Sequence, residues 1–390
     1  MTSLLRQPTA SSEPTVAARL ATATDLARDF AADAARHDRE GTIAEANFQK
    51  LARAGLLSLT VPARLGGAEA ELSEVTQIVG RIAAGDASTA LILAMHYLHV
   101  ATIFRSPRWP RPLADLIGRA SAAGEVALIN ALRVEPELGS PARGGLPATI
   151  ARRSADGWLL SGHKIYATGS SILRWGLVWA RTDDEVPQVG FWLVPLDSPG
   201  IWIAETWDHL GMRATGSHEI VLTDVLVPAH YAIDLRRPAQ WAQPDPVGLA
   251  WNTLTIAALY NGVAEAAKDW LVAHLKSRAP SNLGAPLATL PRFQEAVGDI
   301  DRLLRTNRRL IESASAAAQG LGLIEPGQIK VTVTDNAIRV VERALELAGN
   351  PGLSRANALE RHHRDVLCSR IHTPQTDSVL TSAGRAALGL

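Results

Sequence analysis

Residues 207–231 read Trp-Asp-His-Leu-Gly-Met-Arg-Ala-Thr-Gly-Ser-His-Glu-Ile-Val-Leu-Thr-Asp-Val-Leu-Val-Pro-Ala-His-Tyr. The stretch opens on a turn, Leu210–Arg213, passes small and hydroxylic residues, and enters a β-branched run that Pro228 closes. Such a run, bounded by turn residues, predicts a strand over Glu219–Val225. Upstream, from about Glu125, similar short runs recur between Gly, Pro and Asp: Val126–Asn130, Ala148–Arg153, Gly157–Ile165, Trp175–Arg181, Gly190–Pro195 and Trp202–Ala204. Asp156-Gly157 is a hairpin-turn signal. Six of the ten tryptophans (158, 175, 179, 192, 202 and 207) fall in this region, as the core and interfaces of a small β unit would require.

Both flanks read helical. Thr15–His37, Ala44–Ala54, Leu72–Ala84 and Ser88–Phe104 carry apolar residues at helical spacing. A strand-like piece, Leu57–Pro62, interrupts them. Arg236–Val247 holds three prolines and reads as a linker. Gly248–Lys276, Leu290–Ala318, Gln328–Ala348 and a stretch after Leu353 supply the segments of a four-helix bundle, with Gly-, Pro- and Asn-rich connections. The pattern predicts three units: 1–124 helical, 125–235 β, 236–390 helical.

Composition narrows the function. The 390 residues are 47% hydrophobic and 20% charged, with 39 basic and 39 acidic side chains, so nothing favours nucleic acid or an anionic membrane. Cys368 is the lone cysteine, which excludes an intrachain disulfide and a Cys-based metal cluster. The N-terminus lacks the apolar core of a signal peptide. The stretch around Ala90–Phe104 carries His96 and His99 and is short for a membrane span. A cytoplasmic protein is the expectation. His96 and His99 stand at metal-ligand spacing, but no carboxylate accompanies them, so no metal is expected. His362-His363 reads as an exposed or interface pair.

The opening stretch resembles the middle-domain signature of the acyl-CoA dehydrogenase superfamily. There a Leu-Gly-Met-Arg turn, a small or hydroxylic residue and a strand ending in Val-x-Val-Pro follow at this spacing. The resemblance implies an α+β fold: an N-terminal helical domain, a central β-barrel domain and a C-terminal four-helix bundle. It also implies a flavin, FAD or FMN, and a redox reaction. Asn130–Ser140 is similar to the family's Thr-Glu-Pro-x-x-Gly-Ser loop, with Val134 in place of Thr, and implies that Gly139 and Ser140 approach the cofactor. Gly162–Gly169 is similar to Gly-x-Lys-x-Trp-Ile-Thr-Asn, with Tyr166 replacing Trp and Thr168 keeping the hydroxyl near the flavin ring. Arg278 resembles the arginine that reaches a neighbouring subunit's flavin pyrophosphate. Glu346–Gly352 resembles the loop for the adenosine half of FAD, with Gly349 kept but Glu346 replacing Gln and Asn350 replacing Gly. Arg213 is expected at the barrel near the substrate cleft or buttressing it.

The segment Leu359–Pro374 bears on the reaction. Dehydrogenases of the family carry a glutamate base at the position that falls on Thr373, or on the first bundle helix at the position of Asn252. Neither is a carboxylate here. Without a base, α-proton abstraction loses on the order of 10²–10⁴-fold. Ile371-His372-Thr373-Pro374 instead resembles the Leu-His-Asp-Pro stretch of the dibenzothiophene and related sulfur-compound monooxygenases. That branch implies reduced flavin from a separate reductase, reaction with O₂ through a C4a-hydroperoxide, and oxygenation of a small molecule. His372, Asn130 and His96 are the candidate catalytic groups, with Thr168 beside them. A divergent dehydrogenase or oxidase with His372 as substitute base, and a flavin-binding scaffold without turnover, are the alternatives. A homotetramer is expected, because Arg278 and the Gly349 loop make sense only beside a neighbour's flavin.

Overall fold

The Thr15 hydroxyl accepts the Ala18 N–H at 3.2 Å and starts α1 (Val16–Glu40), whose apolar face buries Ala23, Ala27, Phe30 and Ala34. The computed structural model describes residues 14–137, 145–242 and 245–390. Helices α2 (Glu45–Arg53) and α3 (Leu72–Gly85) follow as expected. Asp86 caps α4 (Ala87–Arg105) by accepting the Ser88 N–H at 3.0 Å. Helix α4 is long and apolar enough to cross a membrane, but most of it is buried among other helices, as a core helix is.

Leu57–Pro62 is not a strand. It is a buried turn segment: the Leu57 carbonyl meets the His96 ring, the preceding Leu56 carbonyl accepts the Tyr97 hydroxyl, and the Ser58, Leu59 and Val61 carbonyls accept nearby backbone N–H groups. An apolar run without a neighbouring ladder satisfies its backbone locally. Helix α5 (Arg111–Ala122), masked in the sequence by the surrounding prolines, begins with a proline in its first turn, where none of its N–H groups is missed.

The central unit is one eight-stranded sheet: β1 (Leu128–Leu132), β2 (Ile150–Ser154), β3 (Gly157–Ala167), β4 (Leu173–Thr182), β5 (Val189–Pro195), β6 (Ile201–Ala204), β7 (His218–Val227) and β8 (Ala232–Arg236). The order is β6-β7-β3-β2-β4-β5-β8, with β1 added parallel to β4. The sheet curls around its own core of Leu132, Trp158, Leu160, Trp192, Ile220 and Leu222. Its other face packs Ile129, Trp175, Leu177 and Leu193 against α4 and α5. Strand β8, not expected from the sequence, precedes the expected linker and takes in only its first residue, Arg236: Ala232 and Ile233 pair with Trp192 and Phe191.

Helices α6 (Pro246–Ser277), α7 (Pro291–Ala316), α8 (Glu325–Ala348) and α10 (Ala358–Leu367) make the C-terminal bundle, with a single turn, α9 (Asn350–Leu353), before α10 and α11 (Thr376–Ala387) at the end. Its core is continuous with that of α1–α4: Ile78 and Ile82 join the same cluster as Leu254, Leu259 and Val341. The two helical parts, distant in sequence, therefore clamp around a shared interior, and the sheet is inserted between them. His362, expected at the surface, is 5% exposed within α10.

Candidate active site

The Leu-Gly-Met-Arg turn is where all three parts meet. Asp365 on α10 accepts the Met212 N–H at 2.7 Å. Arg364 holds Asp38 of α1 through two contacts, 2.9 and 2.6 Å, and the Leu210 carbonyl at 3.0 Å. Gly211 allows this approach: a Cβ there would stand 2.2 Å from the Arg364 carbonyl oxygen. Arg213 Nε donates to the Asp38 carbonyl at 2.9 Å, so it buttresses the junction, and with Asp38, His209 and Arg364 it lines a pocket there. Burial pushes the Asp365 carboxyl up to about 7, against the Met212 N–H that favours its ionised form.

From that turn a row of hydroxyls runs to β3. Thr215 Oγ1 donates to the Met212 carbonyl and lies 2.8 Å from Ser217 Oγ, which donates to Thr168 Oγ1 at 3.0 Å. With Ser217 as donor, the Thr168 proton has no acceptor among the described residues. The Thr168 carbonyl accepts Asn130 Nδ2 at 3.0 Å. Tyr166 precedes it at φ 58, in the left-handed region, and its ring is 54% exposed. A bulky residue held there is strained, a feature that concentrates at functional sites. Its ring meets the edges of Trp207 and His209, which stack on each other at 3.7 Å. A hydroxyl proton, an exposed aromatic ring and a strained backbone side by side suit the edge of a flat heterocycle, so these residues fit a flavin ring.

Two charged residues that motif reading passed over tie this site together. Glu135, from the Glu-Pro motif, and Lys164, from the Gly-x-Lys motif, form a buried pair at 2.6 Å. Glu135 also accepts from Ala148 N, Thr149 N and Thr149 Oγ1, and Lys164 donates to the Trp179 carbonyl. Burial lowers the Lys164 ammonium to about 8, while Glu135 opposes that fall. Ile165 N donates to the Val134 carbonyl at 3.0 Å, so Val134 works through its backbone. The signal available in the sequence was one acid and one base in two motifs that must share a ligand. Gly139 and Ser140 lie outside the described residues.

His96 is corrected by its surroundings. Its Nε2 meets the Leu57 carbonyl at 2.8 Å, its Nδ1 accepts the Ile129 N–H at 3.3 Å, and the ring is fully buried. Neither ring nitrogen is available to a ligand. Burial lowers its pKa to about 4. His99, one turn on, is the histidine whose ring meets the Asn130 side chain. It too is lowered to about 4, first by burial and then by the charge of Arg133.

His372 stands apart from that group, on the bundle side. Its Nδ1 shares a 2.7 Å hydrogen bond with the buried Tyr260 hydroxyl of α6. Burial and the neighbouring Lys330 charge lower its pKa to about 4, while the Cys368 carbonyl opposes the fall. Lys330, 0% exposed, donates to the carbonyls of Ser369, His372 and Pro374 at 3.0, 3.0 and 3.2 Å, which fixes the loop that carries His372. Asn252 Nδ2 donates to the Thr373 carbonyl at 2.9 Å, so the two positions where a glutamate base would be sought touch each other. Arg278 and Gly349 are both exposed; Arg278 ends α6, and Gly349 closes α8 at φ 63.

The three-part architecture and this site define a flavin-dependent oxidoreductase. Family models agree: those of the acyl-CoA dehydrogenase N-terminal, middle and C-terminal domains match residues 16–106, 133–225 and 254–375. A putative acyl-CoA dehydrogenase, YdbM of Bacillus subtilis (strain 168), is 32% identical over 360 residues, covering 91% of this chain and 92% of its own. The chain belongs to the acyl-CoA dehydrogenase superfamily. L-evernosamine nitrososynthase of Micromonospora is also 32% identical, over 93% of this chain and 87% of its own. Among solved structures, KijD3 in complex with FMN and dTDP-3-amino-2,3,6-trideoxy-4-keto-3-methyl-D-glucose superposes with a TM-score of 0.84 at 29% identity, covering 98% of this chain and 95% of that one. TdsC from Paenibacillus sp. A11-2, bound to FMN, shares the fold with a TM-score of 0.81 at 22% identity.

Proposed function

We propose that this chain is a two-component flavin monooxygenase: it takes reduced flavin from a separate reductase and uses O₂ to oxygenate a small molecule. The observation that carries this reading is the occupancy of the base positions. Asn252 and Thr373 are hydrogen-bonded to each other. The nearby imidazole, His372, is held at about 4 beside a buried ammonium. A base that weak is poorly matched to removing an α-proton from a thioester near neutral pH.

Bound reduced flavin supplies two electrons to O₂, one oxygen atom going to substrate and the other to water. The residues around it have separable tasks. Thr168 would offer its hydroxyl proton to a bound flavin, Tyr166 would pack beside it, and Asn130 fixes Thr168 through its carbonyl. His372 and Tyr260 place a neutral hydrogen-bonding pair where a dehydrogenase would place an anion. Apolar α4 and α6 keep bulk water away, which suppresses wasteful release of H₂O₂. FMN is favoured over FAD by the KijD3 likeness and by Glu346 and Asn350 in the adenosine loop. A nitroso group carries oxygen on nitrogen, so the nitrososynthase likeness makes an amine, such as an amino sugar's, the first substrate to test. Arg278 and Gly349 are assigned to a neighbour's flavin in a homotetramer, and a monomeric mass for flavin-loaded protein would refute that assignment.

The test is O₂ uptake with FMN kept reduced by a flavin reductase, with amine and thioether substrates. Product should form in step with O₂ consumed, and His372→Ala should divert O₂ to H₂O₂. If instead acyl-CoA reduces the wild-type flavin and His372→Ala abolishes that reduction, His372 is a substitute base and the protein is a dehydrogenase.

A further inference from the structure

Arg133 follows β1 directly and leads into Glu135. Its guanidinium lies 5.2 Å from the centre of the Trp179 ring and 5.8 Å from that of Phe191. Those two residues are cross-strand partners on β4 and β5, and Trp241 packs edge-on against both, at 4.6 and 5.8 Å. Two rings thus lie under the Arg133 guanidinium, with Trp241 bracing both, and the residue as a whole remains exposed. Cation–π stacking of this kind recurs in this protein: Arg105, Arg153 and Arg292 also stack without an ion pair among the described residues, and two other arginines stack with a counter-charge. Arg236 over Trp241 is paired with Asp234 at 2.6 Å, and Arg174 over Trp175 with Glu125 at 3.3 Å. Arg133 makes no ion pair among the described residues. The acid next to it in sequence, Glu135, is committed to Lys164.

The charges around it deepen the contrast. The Arg133 charge adds to the lowering of both His99 and Lys164, so it sits close enough to both for its field to be felt. His99 is held neutral and bonds Asn130, which in turn fixes the Thr168 carbonyl. A planar cation with no ion pair among the described residues therefore stands beside the groups assigned to the flavin edge. A guanidinium fork of this kind matches carboxylate or phosphate oxygens in pairs.

We propose that Arg133, on its floor of Trp179 and Phe191 braced by Trp241, is the recognition site for an oxyanion carried by the substrate, a phosphate or a carboxylate. The assignment of this cleft to the substrate rests on the active site described above, but the anion site itself needs no turnover. Substrate enters with its anionic group on Arg133 and its reacting atom toward Thr168 and Asn130. Neutral analogues lacking the anion lose this contact and bind more weakly.

Binding of inorganic pyrophosphate, inorganic phosphate and acetate to oxidised protein tests this directly, by calorimetry and by quenching of tryptophan fluorescence. At least one should bind saturably, and the better of phosphate-type or acetate ligand identifies the source of the oxyanion. Arg133→Gln should weaken binding roughly tenfold or more, with Arg133→Lys in between, since a lysine keeps the charge but loses the fork. Arg153→Gln, which removes another guanidinium from a tryptophan face, should leave binding unchanged. Absence of saturable binding by all three anions, or equal binding by wild type, Arg133→Gln and Arg133→Lys, would overturn the proposal. If Arg133→Gln does not fold, Arg133→Lys decides by the same comparison. Arg133-dependent binding in a protein that performs no oxygenation would sink the functional reading alone.

Discussion

Replacing Lys330 by methionine separates two effects that the structure joins in one side chain. The ammonium donates to three backbone carbonyls of the His372 loop. Hydrogen bonds to charged groups contribute about 1.5–3 kcal/mol each, or about 5–9 kcal/mol for the set. Burial offsets part of this: it lowers the group from 10.5 to about 8, which corresponds to roughly 3 kcal/mol. Methionine fills the space without a charge to bury, so the net loss in Lys330→Met should be about 2–6 kcal/mol by denaturant unfolding. The sign with pH follows from the same shift. Because the folded pKa is below the unfolded one, the unfolded state holds more protons between about 8 and 10.5, and stability rises with pH across that window. Lys164 contributes a second slope in the same range, so Lys330→Met should lose about half of it. The variant also removes a charge that helps hold His372 low. An NMR titration should show the His372 pKa moving up from about 4 toward its ordinary value. Unchanged stability together with an unmoved His372 would refute the reasoning, because it would mean that Lys330 neither holds the loop nor acts on the ring.

Two further outcomes follow from buried charge. His96, His99, His362 and His372 are all lowered by burial, to about 4, 4, 3 and 4, so each unfolded imidazole binds a proton that the folded one does not between those values and 6.5. Stability should fall steeply as pH drops below 6.5, and His362→Gln should reduce the slope by up to about 1.4 kcal/mol per pH unit. Unfolding curves taken at pH 6 and 5 check this; an identical slope in the variant would contradict it. Glu135→Gln leaves Lys164 buried with the Trp179 carbonyl but no anion, and should cost about 3–5 kcal/mol. Lys164→Met leaves Glu135 with three donors and should cost less. Calorimetric melting of both variants tests the order, which fails if Lys164→Met is the more damaging.

How far the sequence carried the fold depends on what each signal encodes. Periodicity located the long helices and seven strands because each is set by its own apolar face. It missed β8, whose pairing with β5 is a tertiary fact just before a Pro-rich stretch, and α5, hidden by prolines that suit a helix start. Leu57–Pro62 has the composition of a strand but forms none; its carbonyls go to His96 at Leu57 and to nearby backbone N–H groups at Ser58, Leu59 and Val61. At the candidate site, the motif points to Thr168 and Tyr166, and the Thr168 carbonyl accepts Asn130 Nδ2. The choice between His96 and His99 was not legible, because both lie on one helix and only tertiary packing says which ring meets Ile129 and which meets Asn130. Lys330 was invisible for a related reason: it acts on backbone carbonyls about forty residues away, a contact with no sequence signature.

The central claim, an oxygenase rather than a thioester dehydrogenase, turns on the missing carboxylate at Asn252 and Thr373. Anaerobic titration of the FMN- or FAD-loaded protein with saturated acyl-CoAs of several chain lengths, followed by flavin absorbance, tests it most directly. The account predicts that the oxidised flavin spectrum persists with every acyl-CoA, while Thr373→Glu is not required for O₂-dependent product formation. Bleaching of the flavin by an acyl-CoA in the wild-type protein would contradict it.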